Sequence, residues 1–247
     1  MISPIETTRS FSQNAKSRAS SSTATVVILG IFAGLYSAMG CFAAQIAETI
    51  TSDHVIASLI FPVGSILTTC CGGTLFTGNL LLAIGLYRKK INLKELLRYL
   101  SLAYLANFAG SLIFVGILSM CDFKGDILSF IVTVGKAKVS YSFTQAFARA
   151  VLCGILVNLG AWLSYAGESL TEKICGVFFP TMLFYLCGFE HCITNMYFIP
   201  MAMLSDGGIT VMMFLHNLIP VTLGNIFGGA LIVASGYCYC FLKDDKD

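Results

Sequence analysis

Long apolar segments decide what this chain can fold into. Four of them are continuous, at about residues 25–47, 97–120, 143–165 and 216–242. A bilayer span needs roughly 20 apolar residues, and its backbone polar groups must bond within the segment. Only 11% of the chain is charged and its mean hydropathy is +0.81, whereas a soluble domain carries about 25% charged residues. We therefore predict an integral membrane protein with one domain.

Two further apolar segments, at about residues 54–86 and 174–204, are interrupted by glycine and polar residues and bring the predicted spans to six. An even number of spans places both termini on one side. Most lysines and arginines outside the spans fall on that side, whereas the other side carries only Lys124, Lys136 and Lys138. Because positive charge is enriched on the cytoplasmic side, both termini are predicted to be cytoplasmic.

The ends of the chain are polar. Residues 1–23 are rich in serine and threonine, which indicates a flexible cytoplasmic tail. The prediction is thus a tail at 1–23, a six-helix membrane domain at 24–242 and a short cytoplasmic tail at 243–247. The ten cysteines lie mostly inside apolar runs, where a free cysteine behaves as a small hydrophobic residue.

The two interrupted segments resemble each other. Residues 71–79 read CGGTLFTGN and residues 187–195 read CGFEHCITN, so each begins Cys-Gly and reaches Asn eight residues after the Cys. The spans that follow also match, with ANFAGSL in the third and GNIFGGAL in the sixth. Three spans per half give the halves opposite topology, which predicts an inverted repeat with broken second and fifth helices. Gly110, Gly228 and Gly229 are expected to mark close helix packing.

Each break combines helix-stopping and helix-capping residues. Gly72, Gly73 and Gly188 allow a helix to stop, and the residues able to cap the next half-helix are Thr77, Asn79, Thr194 and Asn195. Irregular backbone at membrane depth occurs where it is buried in protein or lines a cavity. Two breaks that meet near the midplane therefore predict a pore. Half-helix N-termini offer N–H groups and partial positive charge, which suit a small anion.

Several motifs together resemble the formate/nitrite transporter family, over nearly the whole chain from about residue 25. They are GFEHCITNMYFIP in the fifth span, LFTGN in the second, NLIPVTLGNIFGG in the sixth, YLANFAGSL in the third and KVSYSF before the fourth. The resemblance implies an aquaporin-like protomer in a homopentamer, with one pore per protomer. It also implies passage of small monovalent weak-acid anions (formate, nitrite, hydrosulfide, acetate or lactate), often with a proton, across the cell membrane.

The resemblance implies roles for individual residues. His191 is the central pore histidine, Glu190 is its structural neighbour, and Thr77 faces His191 from the second span. Lys138 belongs to the outer vestibule, although Lys136 is equally exposed by composition. The polar group that the sixth span contributes is Asn225.

The resemblance also implies two constrictions and reveals two departures. Leu75 and Phe76 form the cytoplasmic constriction, and Val157 and Phe184 form the outer one. The family commonly has Glu where this chain has Thr74, and Asn where it has Gly154. Asn158 lies one helical turn beyond Gly154 on the same face, so we hypothesise that it supplies the missing amide.

Alternatives remain at this stage. His191 is either a proton donor to the anion, a hydrogen-bonding group only, or a core histidine bonded to Glu190 or backbone. A neutral-solute channel of aquaporin type is a second reading, although the paired Asn-Pro-Ala motifs are absent. A membrane enzyme using Glu190 and His191, or His191 and Cys192 as metal ligands, is remote, because His54 and His216 fall at predicted span ends. No cofactor, metal or nucleic-acid partner is predicted; the expected partners are the anion, protons and lipid.

Overall fold

Helices make up the fold, and the prediction of an all-α fold is confirmed. The computed structural model describes residues 1–123, 125–206 and 208–244. The helices in chain order are α1 (Pro4–Ala19), α2 (Thr23–Thr51), α3 (His54–Ile60), α4 (Val63–Cys70), α5 (Ala83–Tyr87), α6 (Leu93–Ser119), α7 (Asp126–Val139), α8 (Phe143–Ala166), α9 (Leu170–Leu186), α10 (Cys192–Asp206), α11 (Val211–Ile226) and α12 (Ser235–Leu242). Lys124 and residues 245–247, which carry part of the predicted charge pattern and C-terminal tail, lie outside the described residues.

The spans fall where the hydropathy predicts them. Among the described residues, four helical stretches are long and apolar enough to cross a membrane: α2, α6, α8 and the continuous Val211–Leu242, in which a π-helical segment joins α11 to α12. The second span is divided into α3, α4, the 3₁₀ segment Gly78–Leu82 and α5, and the fifth into α9 and α10. Proline 62 ends the first piece of the second span, since it lacks the N–H that a continuing helix would use.

The N-terminal segment is a helix, so the prediction of a flexible tail is wrong for Pro4–Ala19. Ser3 and Glu6 form a capping box at its start. Phe11 and Ala15 are buried against the membrane domain, and a Cβ on Gly85 would overlap that of Ala15. A serine-rich helix with a narrow apolar stripe lacks the hydropathy that marks an ordered segment. Because α1 packs against α12, we call this side the terminal face and the other side the opposite face.

An amphipathic helix that hydropathy did not predict, α7, lies on the opposite face against α10. It is the counterpart of α1 by position, since each precedes the first span of its half. The sequences that follow also correspond. Lys16, Arg18 and the helix cap Ser22 match Lys136, Lys138 and the cap Ser142.

Small residues bring the long helices into backbone contact. A Cβ on Gly110 would overlap the carbonyl oxygen of Ile31 in α2, and a Cβ on Gly228 would overlap that of Val151 in α8. A Cβ on Gly229 would likewise overlap the Asn158 amide. The prediction that these glycines mark close packing is confirmed. Van der Waals contact between closely approaching helices replaces the hydrophobic driving force that is missing in lipid.

Candidate functional site

Two loops interrupt the second and fifth spans. The first loop, residues 71–77, follows α4, and the second loop, residues 187–191, follows α9. Gly72 has φ +79° and Gly188 has φ +64°, a left-handed conformation that glycine adopts without strain. Gly73 does not share this conformation; its space is limited instead, since a Cβ there would lie 3.1 Å from the Ala33 Cβ.

Asn107 holds the first loop. Its Oδ1 accepts a hydrogen bond from the Phe76 N–H at 2.9 Å, and its Nδ2 donates to the carbonyls of Thr74 at 2.9 Å and Gly30 at 2.8 Å. All of these groups belong to predicted membrane spans, where an unpaired backbone group is costly. The amide therefore stabilises the irregular backbone.

Asn225 makes the matching contacts in the second loop. Its Oδ1 accepts from the Cys192 N–H at 2.9 Å, and its Nδ2 donates to the carbonyls of Glu190 at 2.9 Å and Ala150 at 2.8 Å. The expectation that Asn225 is a polar group facing the pore is corrected by this geometry. The side chain is fully buried and its amide is used entirely on backbone.

The loops meet through Thr77 and His191. Thr77 Oγ1 and His191 Nε2 are 2.8 Å apart, and both side chains are buried. The Thr77 hydroxyl thus forms a hydrogen bond between the two halves. The sequence predicted that it would cap the following 3₁₀ segment, but its side chain makes no capping hydrogen bond there. His191 Nδ1 has no hydrogen-bond partner among the described residues. One buried polar atom is therefore available for a guest.

Glu190 is the centre of a buried polar network. Its Oε1 accepts from Lys138 Nζ at 2.8 Å, and its Oε2 accepts from Asn195 Nδ2 at 2.6 Å. Asn217 donates to the Lys138 carbonyl at 2.7 Å and accepts from Asn195 at 2.7 Å. The Lys138 side chain is 13% exposed and that of Glu190 3%. The network fixes the second loop and brings a cation beside it, and Lys138 rather than Lys136 is that cation.

Arg18 takes the corresponding place on the terminal face. Its Nη1 donates to Asn79 Oδ1 at 2.7 Å and its Nη2 donates to the Tyr165 hydroxyl at 2.9 Å. Both partners are uncharged, so the guanidinium charge is not neutralised there. Sequence reasoning missed Arg18 because it assigned residues 1–23 to a tail. The shared spacing of Lys16, Arg18 and Ser22 with the α7 region was a usable signal.

A cavity of about 680 Å³ opens on the terminal face, between α1 and the first loop. Arg18, Thr74, Leu75, Val157 and Lys173 are among its lining residues. Val157 thus lines this cavity together with Leu75, and Phe184 is not one of its lining residues. The outer constriction of Val157 and Phe184 stays a prediction. Phe76 is not a lining residue of this cavity; its ring packs edge-on against Tyr104, at a centroid distance of 4.9 Å.

Phe184 lies deeper, beside His191. Its ring centroid is 5.6 Å from that of His191 and 5.3 Å from that of Phe61, with the two phenyl planes at 87°. Phe61 was not singled out from the sequence, where it is one apolar residue among many before Pro62. The structure brings the rings of Phe61, Phe184 and His191 together. Because Phe184 is predicted to lie in the outer constriction, we call these three rings the constriction.

Asn158 does not supply an amide to this cavity. Its Nδ2 donates to the carbonyl of Gly154 in its own helix at 2.8 Å, and the side chain packs against Gly229 away from the lining residues. Gly154 sits against α11, where a Cβ would lie 2.5 Å from the Asn225 carbonyl oxygen. The hypothesis of a displaced amide is therefore wrong, since helix packing occupies both positions.

Within the described part of the chain, no three His, Cys, Asp or Glu side chains converge as metal ligands. His191 belongs to the second loop, whereas His54 lies in α3 and His216 in α11. Both of these histidines are exposed, and His54 lies beside Glu48.

The sequence of this chain is similar to those of known membrane transport proteins. The sequence model of the family described as "Formate/nitrite transporter" matches residues 5–239. The chain belongs to the formate/nitrite transporter family. Among this family's proteins, a probable formate transporter from Methanothermobacter thermautotrophicus is 32% identical, and the alignment covers 98% of each chain. These relatives are transporters and channels, not enzymes.

Solved structures extend the comparison. A pentameric formate channel with formate bound superposes with a TM-score of 0.82 at 32% identity, over 90% of this chain and 98% of the other. The aquaglyceroporin from Plasmodium falciparum superposes with a TM-score of 0.53 at 17% identity, over 91% of this chain and 98% of the other, a likeness of fold alone. This chain thus has an aquaporin-like protomer fold.

Proposed function

We propose that this chain is a channel for small monovalent weak-acid anions, with formate as the first candidate. It works as a homopentamer with one pore per protomer, in the cell membrane with both termini in the cytoplasm. The observation that carries the proposal is the buried Thr77–His191 pair, where the two loops of opposite halves meet. The likeness to formate channels, one of them pentameric with formate bound, supports the substrate class and the assembly.

Each mouth of the proposed pore carries a cation. Lys138 lies beside the second loop and Arg18 beside the first. A cation in a cleft raises the local anion concentration and the rate of encounter. The Lys138 charge is balanced by Glu190, which weakens its attraction for an anion. At the terminal face, Arg18 and the exposed Lys173 line the cavity and attract the anion there.

At the proposed midpoint of the pore, the aromatic rings of Phe61 and Phe184 lie beside the Thr77–His191 pair. Moving an anion into such surroundings costs many kcal/mol, and low dielectric raises the pKa of the anion itself. The weak acid therefore takes up a proton from water in the mouth and passes as a neutral molecule. In this proposal His191 is the tautomer that accepts from the Thr77 hydroxyl at Nε2 and carries its hydrogen on Nδ1, where it donates to the passing carboxyl group.

Stopped-flow uptake into proteoliposomes tests the proposal. We would compare formate, nitrite, hydrosulfide, acetate and lactate between pH 5 and 8, beside His191→Ala. Saturable uptake of one of them that is faster at low pH and reduced in the variant is the expected result. Absence of anion uptake by intact pentamers would contradict the proposal, and saturable glycerol uptake in its place would favour a neutral-solute channel.

A further inference from the structure

A second polar cluster lies on the opposite face, outside the two loops. Glu48 near the end of α2, His54 at the start of α3 and Tyr185 near the end of α9 form it. His54 Nδ1 is 3.1 Å from Glu48 Oε1, and the Tyr185 hydroxyl donates to Glu48 Oε2 at 3.5 Å. The His54 side chain is 45% exposed in the protomer, at a predicted span end.

The ring of Tyr185 is sandwiched. Its centroid lies 5.3 Å from the His54 ring at an interplanar angle of 23°, and 4.1 Å from the Phe61 ring at 22°. His54 and Phe61 are seven residues apart, which is about two helical turns, so they share one side of α3. One tyrosine thus contacts both ends of this short helix.

Phe61 connects the cluster to the constriction. Its ring meets Phe184 edge-on at 5.3 Å, and Phe184 lies 5.6 Å from His191. Pro62 separates α3 from α4, so α3 is a seven-residue segment that no continuous helix holds in place. Its position depends on contacts with α2 and α9.

We propose that Glu48, His54 and Tyr185 form a brace that positions Phe61 against Phe184 and closes the constriction when the opposite face becomes acidic. This inference rests on the proposed function, since the constriction matters only if an anion passes. Protonated His54 bonds to the Glu48 carboxylate more strongly than neutral imidazole does. Its charge is also attracted to the face of the Tyr185 ring.

The charges around His54 favour this direction. Glu48 is the charged side chain of α2, and Asp53 caps α3 through the N–H groups of Val55 and Ile56. The charged residues of α9 lie at its other end, in its first turn. The titratable side chain of α9 that contacts the His54 ring is Tyr185. Among the described residues of these elements, Glu48 is therefore the charged side chain that contacts His54, and it is a carboxylate.

The test measures formate uptake at pH 5.5 and pH 7.5, with equal pH on both sides of the proteoliposome membrane. Relative to the native protein, His54→Gln is expected to raise the rate about two- to fivefold at pH 5.5 and leave it unchanged at pH 7.5, the range that an exposed ion pair allows. Glu48→Gln should do the same, and the double variant should add nothing further. Tyr185→Phe keeps the sandwich and most of the response, whereas Tyr185→Leu abolishes it.

His216→Gln is the matched control, because His216 is an exposed histidine of α11 outside this cluster; it should keep the native ratio of rates. An unchanged ratio in His54→Gln, additive effects in the double variant, or loss of uptake at both pH values with intact pentamers would overturn the brace. Absence of formate uptake by the native protein is a different result, which would overturn the proposed function instead.

Discussion

Replacing Asn225 with alanine should lower the stability of the second loop, because the Asn225 amide bonds only backbone groups. The substitution removes three hydrogen bonds, to the N–H of Cys192 and the carbonyls of Glu190 and Ala150. Each is worth about 1 kcal/mol net, so the expected loss is about 3 kcal/mol. For a chain of this size 1 kcal/mol shifts Tm by roughly 2–4 °C, so Tm should fall by about 6–12 °C.

Thermal unfolding of the purified pentamer, followed by size-exclusion chromatography after heating, measures this fall. Asn107→Ala removes the matching three bonds in the first loop and should cost a similar amount. Asn158→Ala is the control, since its amide donates one bond to its own helix and should change Tm far less. A normal Tm for Asn225→Ala together with lost uptake would refute the reasoning and restore Asn225 as a pore residue.

Three further changes follow from the geometry. Lys138→Met leaves the Glu190 carboxylate buried without its cation and should lower the free energy of unfolding by about 3–5 kcal/mol. Adding Glu190→Gln should recover part of this stability, and no recovery would contradict the charge-pair argument. Gly228→Ala overlaps a backbone carbonyl of the neighbouring helix and should cost about 1–3 kcal/mol, whereas Gly116→Ala has open space and should not destabilise; equal Tm values would contradict the packing account. Arg18→Gln should slow formate uptake several-fold at low salt and much less at high salt, because salt screens exposed charges; a reduction independent of salt would contradict electrostatic attraction at the terminal mouth.

The spans and their breaks were predictable because both depend on local sequence. Apolar length sets a span, and Gly72 and Gly188 mark the breaks through a conformation that glycine adopts freely. The close packing at Gly110 and Gly228 followed from residue size. These features require no knowledge of which helices meet.

The site was less predictable, since it depends on contacts across the fold. Asn107 and Asn225 stand out in the sequence as equivalent residues, but only their partners identify them as supports for the loops. Phe61 and Val157 are ordinary apolar residues until the helices pack. A search for apolar segments does not detect the helix that carries Arg18. This helix, α1, is stabilised by packing against the membrane domain and not by a long apolar sequence.

The contact between Thr77 and His191 carries the central claim, and Thr77→Val tests it most directly. Valine keeps the shape of threonine and removes only the hydroxyl group that bonds His191 Nε2. With Thr68→Val as control, whose hydroxyl bonds its own helix, the initial rate of formate uptake by intact pentamers is the measurement. The account predicts a fall of about 5- to 150-fold for Thr77→Val, the cost of about 1–3 kcal/mol for a buried polar group left unpaired. A rate equal to that of the native protein would contradict it.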